Sequence, residues 1–124
     1  MSAGPRYSGP VPSCIFCDIA ARKAKSTIVT ETEDLVAFRD INPKAPTHIL
    51  VIPRKHIPTL NDLADGDEAL VGKMFSLAKK LARAEKIDGS GWRAVFNVNE
   101  DAGQSVYHIH LHLLGGRSMV WPPG

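Results

Sequence analysis

Long hydrophobic runs are absent from this chain. No unbroken apolar stretch is longer than Ile49 to Ile52, whereas a membrane-spanning helix needs about 20 apolar residues. The first residues, Met1 to Arg6, carry no apolar core of the kind found in secretory signals. We therefore expect no membrane partner and an intracellular protein, located in the cytoplasm with the nucleus as an alternative.

An excess of charge of one sign is also missing. Fifteen Lys and Arg residues face 13 Asp and Glu residues, which leaves a formal charge of +2 without a basic block, so we expect no nucleic acid polymer as partner. The hydrophobic fraction of 44% and the charged fraction of 23% exclude a disordered or fibrous chain. A chain of 124 residues fits one domain.

Cysteine is scarce, with only Cys14 and Cys17 present. In a reducing compartment, such a close pair is more typical of a metal site or a redox pair than of a structural disulfide. The spacing alone leaves both interpretations open.

Proline and glycine are concentrated at the N-terminus, where little apolar material could be buried. We therefore predict a flexible arm over residues 1–12 and one domain over residues 13–124, with a C-terminal tail at 115–124.

Apolar spacing and turn residues predict the elements of this domain. They are a helix Ile15–Arg22, strands Thr27–Thr30, Leu35–Phe38, Thr47–Ile52, Trp92–Val98 and His108–Leu114, a loop Asp40–Pro46, and a long helix from Asp65 to Asp88. The predicted class is α+β, with about five mostly antiparallel strands and two helices.

Three histidines alternate with apolar residues in His108-Ile109-His110-Leu111-His112. Alternate side chains of a strand share a face, so the histidines would line one face while the apolar residues enter the core. Solvation of an exposed face is one interpretation. Metal binding is another, because His-x-His spacing suits zinc. Nucleophilic catalysis is the third.

Imidazole suits attack on phosphorus, because its ordinary pKa of about 6.5 leaves a neutral nitrogen at physiological pH. The resulting phosphorus–nitrogen bond is labile to water, so one difficult displacement becomes two easier ones. Hydrogen-bond donors must then stabilise the phosphate oxygens. His112, Ser105 and the backbone around Gly103 and Gln104 are the candidates, although Ser105 is equally typical of an ordinary turn.

The histidine run through Leu114 resembles the signature of the histidine-triad (HIT) family, in particular its Hint branch. The resemblance extends to Asp40–His48, to Ile52–Ile57 and to the terminal Trp121-Pro122-Pro123-Gly124, and it covers essentially the whole of Ile15–Gly124. It implies the HIT-like fold.

Members of this branch are homodimeric purine nucleoside phosphoramidases, which hydrolyse a P–N bond to a nucleoside monophosphate and an amine. The resemblance implies this reaction on adenosine or guanosine 5'-phosphoramidates, without a catalytic cofactor, through a nucleotidyl intermediate on His110. It also implies that His112 contacts the phosphate, that Ser105 assists the leaving amine and that His48 supports the ring of the nucleophile. The homodimer would form across the Trp92 strand and the long helix.

The resemblance further implies a substrate pocket in which Asp40 binds the ribose. The implied substrate-binding residues are Ile15, Phe16, Ile19, Phe38, Asp40, Ile41, Asn97, Gly103, Gln104, Ser105, Val106, His110, His112 and Trp121. From the pattern alone, the apolar members of this set are typical of a core, and Trp121 belongs to a tail.

The cysteine pair departs from many animal members of the branch and resembles related bacterial HIT proteins that bind structural zinc. That resemblance implies the ligands Cys14, Cys17, His48 and His108, a closed tetrahedral set. A reduced thiol pair without metal is the alternative, and the assignment of His48 to zinc competes with its assignment to the active site.

Two other functions remain open at this point. A dinucleoside polyphosphate hydrolase or nucleotidyltransferase would use the same histidine intermediate. A nucleotide-binding interaction protein would have the fold and the ligand but little turnover.

Overall fold

One five-stranded antiparallel sheet organises the residues that the computed structural model describes, 13–124; the predicted N-terminal arm lies outside them. The strand order is β1-β2-β3-β5-β4, and every neighbouring pair is antiparallel. The strands are β1 (Ile28–Glu31), β2 (Leu35–Arg39), β3 (Thr47–Pro53), β4 (Trp92–Val95) and β5 (Leu111–Gly115). The helices are α1 (Ile15–Ala20), α2 (Glu68–Ala84) and α3 (Asn99–Ala102), with short 3-10 turns at Leu60–Asp62 and Asp65–Asp67. The predicted α+β class is confirmed.

The two faces of the sheet are covered by different helices. Along β3, Ile49 and Val51 belong to a core cluster with residues of α2, including the fully buried Met74, whereas Leu50 and Ile52 belong to a cluster with residues of α1. This division follows from the alternation of side chains in a strand that is buried on both faces. Helix α1 has only 6 residues against 17 for α2, so it covers its face incompletely.

Several predicted boundaries were wrong for local reasons. The predicted start of the long helix at Asp65 is a 3-10 turn, in which the Asp67 carboxylate accepts a hydrogen bond from the Ala64 amide, and the α-helix begins at Glu68. The predicted strand Trp92–Val98 ends at Val95, and a third, short helix follows at Asn99, whose φ is 63°.

The histidine run enters the sheet later than predicted, because β5 begins at Leu111. Before it, the Ile109 amide donates to the Ile57 carbonyl rather than to a neighbouring sheet strand. The predicted separation of faces is nevertheless confirmed. Ile109, Leu111 and Leu113 are buried in the α2-side core, whereas the histidine rings of His108 and His110 contact Phe16 of α1.

No helix among residues 13–124 is both long enough and apolar enough to cross a membrane.

Candidate active site and metal group

A row of side chains crosses the sheet on the face covered by α1. Strand register places His112 opposite Leu50, Leu50 opposite Phe38, and Phe38 opposite Ile28. Residues directly opposite each other in antiparallel strands share a face, and strands lie about 4.8 Å apart. The row from His112 to Ile28 therefore spans roughly 14 Å.

A cavity of about 1060 Å³ lies along this row. One end contains His110 and His112, and Asp40 lies at the end of β2. The segment from Arg22 to Thr27 lines the far end, next to Ile28. The lining includes most of the residues predicted to bind substrate: Ile15, Phe16, Ile19, Phe38, Asp40, Ile41, Ser105, Val106, His110 and His112. The cavity thus has a histidine-rich end and an apolar middle.

Four residues predicted to bind substrate do not line the cavity: Asn97, Gly103, Gln104 and Trp121. Gln104 is buried and ties the loop together, since its side chain accepts from the Asn99 amide and donates to the carbonyls of Pro58 and Val106. Gly103 ends α3 in the left-handed conformation, with φ 81°, which glycine adopts most readily. Both residues act on the site by shaping the segment that carries Ser105 and Val106.

Trp121 is 83% exposed, and its neighbour Val120 is held by a hydrogen bond from Arg93 of β4 to the Val120 carbonyl. Within this one chain, the tail therefore lies at the β4 edge of the sheet and not over the cavity.

The tautomer of His110 is fixed by the backbone two residues earlier. Its Nδ1–H donates to the His108 carbonyl over 2.8 Å, because a carbonyl oxygen can only accept. Burial lowers the pKa of His110, so the ring is neutral and Nε2 carries the free lone pair. Phe16 packs edge-on against this ring, with centroids 5.0 Å apart.

A second chain of hydrogen bonds fixes His112. The Lys44 amide donates to His48 Nδ1 over 3.0 Å, so neutral His48 carries its proton on Nε2. That Nε2 lies 2.9 Å from His112 Nδ1, which must therefore accept. Neutral His112 then carries its own proton on Nε2.

The Nε2–H of His112 is buried and has no hydrogen-bond partner. Burial, together with the positive charges that His110 and His48 acquire on protonation, lowers the pKa of His112 to about 4. A buried donor without a partner costs about 1–3 kcal/mol, so an acceptor placed beside this N–H, in a ligand or in a water molecule, would be stabilised.

His48 supports a different histidine from the one predicted. The family resemblance implied that His48 supports the ring of His110, but its hydrogen bond goes to His112, and its Nε2 lies 3.4 Å from Asp40 Oδ2. The alternation of the histidine run carries no information about this contact, which depends on the register between β3 and β5.

A separate group of four side chains that could hold a metal ion lies at the start of α1. Its members are Cys14, Cys17, His56 and His108, all buried, with their ligand atoms within 4.8 Å of one another. The predicted fourth ligand, His48, was wrong: it lies with Asp40 and His112 instead. His56 follows β3, three residues beyond Pro53, and its spacing from the cysteines gives no signal that sequence reasoning could have used.

The distances in this group fit a tetrahedral zinc ion. Zinc–sulfur bonds of about 2.3 Å and zinc–nitrogen bonds of about 2.0–2.1 Å place sulfur and nitrogen ligands roughly 3.5 Å apart and two nitrogens roughly 3.3 Å apart. Cys14 Sγ lies 3.5 Å and Cys17 Sγ 3.6 Å from His108 Nδ1, and Cys17 Sγ lies 3.4 Å from His56 Nδ1. The two Nδ1 atoms are 3.2 Å apart. The group therefore has the donor types and spacing that zinc requires.

The protonation of His108 suits a metal ligand. Its Nε2–H donates to the Pro53 carbonyl over 2.7 Å, which leaves the Nδ1 lone pair facing the sulfur atoms. Burial lowers the pKa of His108 to about 4, so the ring is neutral as metal binding demands.

The group formed by Cys14, Cys17, His56 and His108, called the metal group below, shares structural elements with the cavity. Cys14 is also the N-cap of α1, where its Sγ accepts from the Cys17 amide, and α1 supplies Phe16 and Ile19 to the cavity. On the other side, the His108 carbonyl holds His110. Cys14 and Cys17 thus belong to the helix that supplies the apolar wall, and His108 holds His110 through its backbone carbonyl.

Several known proteins are similar to this chain in sequence and fold. The purine nucleoside phosphoramidase of Escherichia coli strain K12 is 49% identical over 105 residues, which are 85% of this chain and 88% of that protein. A HIT family hydrolase from Legionella pneumophila Philadelphia 1 superposes with a TM-score of 0.89 at 56% identity, covering 90% of this chain and 100% of the other. A zinc-bound histidine triad family protein from Mycobacterium smegmatis superposes with a TM-score of 0.75 at 33% identity, covering 85% and 76% of the two chains. The family described as HIT domain matches residues 21–119. The chain belongs to the HIT-domain family.

Proposed function

We propose that this protein is a purine nucleoside phosphoramidase that works through a nucleotidyl intermediate on His110. The observation that carries the proposal is the pairing of a neutral His110, with its Nε2 lone pair free, and an unpartnered Nε2–H on His112 at the same end of one cavity. A nucleophile and an adjacent donor are what attack on a phosphate needs. The E. coli relative carries the same activity in its name.

The substrate would lie along the row that crosses the sheet. Its phosphate would occupy the end at His110 and His112, its ribose would reach the carboxylate of Asp40, and its purine would enter the apolar middle beside Phe16 and Phe38. One oxygen of Asp40, Oδ1, already accepts from the Asn42 amide. Carboxylate oxygens have further acceptor capacity, which ribose hydroxyls would use.

The reaction would proceed in two displacements. His110 Nε2 attacks phosphorus, the bond from phosphorus to the substrate nitrogen breaks, and the amine leaves after taking up a proton, with the hydroxyl of Ser105 at the cavity wall to assist it. Water then attacks phosphorus, the bond to Nε2 breaks, and the nucleoside monophosphate and free His110 are released. His112 donates to a phosphate oxygen whose negative charge the site must stabilise in both steps.

We also propose that Cys14, Cys17, His56 and His108 hold zinc. Four protein ligands complete a tetrahedral shell, so the ion would be structural and would leave no position for substrate. The fit of the donor distances supports this, as does the zinc-bound relative from M. smegmatis.

Parallel assays on two substrates test the proposed reaction. We expect hydrolysis of an adenosine 5'-phosphoramidate to AMP and amine, with a kcat/KM well above that for a diadenosine polyphosphate, and chromatography of the products measures both. The reverse order of rates would favour the polyphosphate hydrolase. Binding of AMP without turnover of either substrate would indicate a nucleotide-binding protein.

Replacing His48 tests the hydrogen-bond chain to His112. His48→Leu removes the donor that fixes the His112 tautomer, and we expect kcat to fall by about 10²-fold, as when one donor to an oxyanion is lost. His48→Gln restores an amide N–H donor of similar reach and should recover part of that loss. Equal activity of the two variants, both folded by circular dichroism, would show that His48 matters only for packing.

A further inference from the structure

The loop that joins β2 to β3, residues 40–46, carries Asp40 and also controls His48. Its base is closed by a hydrogen bond from the Asp40 amide to the His48 carbonyl over 3.0 Å. Further along the loop, the Lys44 amide donates to His48 Nδ1. The tautomer of His48, and through it that of His112, therefore depends on where the loop holds Lys44.

The turn that follows β5, residues 116–118, contacts this loop from the other side. Arg117 Nε donates to the Lys44 carbonyl over 2.9 Å, and Arg117 Nη1 donates to the Ser118 carbonyl over 3.0 Å. Gly116 has φ 90°, and a Cβ added there would lie 2.9 Å from the Cβ of Pro46, so the turn packs directly against the loop. Lys44 is thus held at both backbone groups, its amide by His48 and its carbonyl by Arg117.

We propose that Arg117 is a positioning residue for the reaction: by holding Lys44, it selects the tautomer in which His112 presents Nε2–H to the substrate phosphate. The inference rests on the proposed function and adds to it a residue that does not line the cavity.

The selection follows from the two neutral proton arrangements that the His48–His112 pair can adopt. In one, His48 Nε2–H donates to His112 Nδ1, and His112 keeps its proton on Nε2. In the other, His112 Nδ1–H donates to His48 Nε2, and a lone pair on His112 Nε2 repels the phosphate. An amide N–H can only donate, so the Lys44 amide at His48 Nδ1 is compatible with the first arrangement alone.

A carboxylate favours the same arrangement. Asp40 Oδ2 lies 3.4 Å from His48 Nε2, where it attracts a proton on that nitrogen. Loss of the contact from Arg117 to Lys44 should therefore weaken the selection without abolishing it.

A matched pair of variants tests the contact. Arg117→Met keeps a long stem and removes every donor, whereas Arg117→Lys keeps a donor. We expect kcat/KM for an adenosine 5'-phosphoramidate to fall about three- to tenfold in Arg117→Met, the size of one hydrogen bond, and to recover in Arg117→Lys. Arg83→Met, at an exposed arginine near the end of α2, should match the wild type. Wild-type kcat/KM in Arg117→Met would overturn the proposal.

A double-mutant cycle separates positioning from a general structural role. If Arg117 acts through His48, then Arg117→Met should change kcat/KM by less than about twofold when His48 is already leucine, because interacting sites are not additive. An equal factor in both backgrounds would show that Arg117 acts by another route, and the proposal would be wrong.

The ¹⁵N shifts of the His112 ring, measured by NMR without substrate, report the tautomer directly. The wild type should show the proton on Nε2, Arg117→Met should move both shifts toward those of a tautomer mixture, and Arg117→Lys should restore them. Unchanged shifts in Arg117→Met would reject the role of Arg117. Failure of the wild type to hydrolyse any phosphoramidate would instead reject the proposed function, while the spectrum would still decide whether Arg117 sets the tautomer.

Discussion

Replacement of His110 by alanine is expected to lower kcat/KM for an adenosine phosphoramidate by at least ~10³-fold, because the variant lacks the nitrogen that forms the covalent bond. Loss of the ring also leaves a space beside Phe16, so the variant must be shown to be folded and to bind AMP. The measurement is steady-state hydrolysis at matched protein and substrate concentrations.

The intermediate itself can be captured. Rapid acid-free quenching of the wild type during turnover, followed by peptide mass spectrometry, should locate one nucleotidyl group on the peptide that contains His110. The variant should show none. Near-normal turnover by His110→Ala, or a nucleotide on another side chain, would reject His110 as the nucleophile.

The second large effect concerns the metal group. The protein is expected to contain about one zinc ion per chain, and removal of this ion should lower the free energy of unfolding by at least ~3 kcal/mol, since structural zinc contributes directly to folding. For a chain of this size that corresponds to a Tm lower by roughly 10 °C. Metal analysis and thermal unfolding with and without a chelator measure the two quantities.

Two histidine variants distinguish the ligand set in the structure from the one predicted from the sequence. His56→Gln should lose zinc and show the lower Tm, whereas His48→Gln should retain zinc at the wild-type stoichiometry. The two substitutions are chemically identical, and both replace buried histidines. Zinc loss on replacement of His48 but not of His56 would contradict the observed grouping, and a metal-free wild type would reject the zinc site.

Much of the fold could be predicted because the hydrophobic pattern specifies it locally. Alternation placed Leu111 and Leu113 in the core and the histidines on the opposite face, and helical spacing identified the buried Met74 of α2. Boundaries were less predictable, since the end of β4 and the start of β5 depend on a left-handed turn at Asn99 and on the hydrogen bond from Ile109 to Ile57.

The site was only partly predictable for a related reason. His110 and His112 stand in a recognisable run, but the partners of His48 and the identity of the fourth metal ligand depend on contacts between residues far apart in sequence. His108 and His56 are 52 positions apart, and His48 and His112 are 64 apart. The homodimer stays a prediction. The strand across which it would form, β4, lies at the edge of the sheet in the single chain.

The line of side chains from His112 to Ile28 runs across the strands rather than along one of them. Backbone hydrogen bonds set its length, because they hold neighbouring strands at a constant separation that side-chain substitution does not alter. A smaller side chain at Leu50 or Phe38 would make the cavity deeper, and a larger one would make it shallower. In both cases the distance from the histidines to the far end of the cavity would stay the same. The strand spacing thus sets the length of molecule that the cavity accepts. Substitutions in the row can change how closely that molecule packs against the sheet without changing this length.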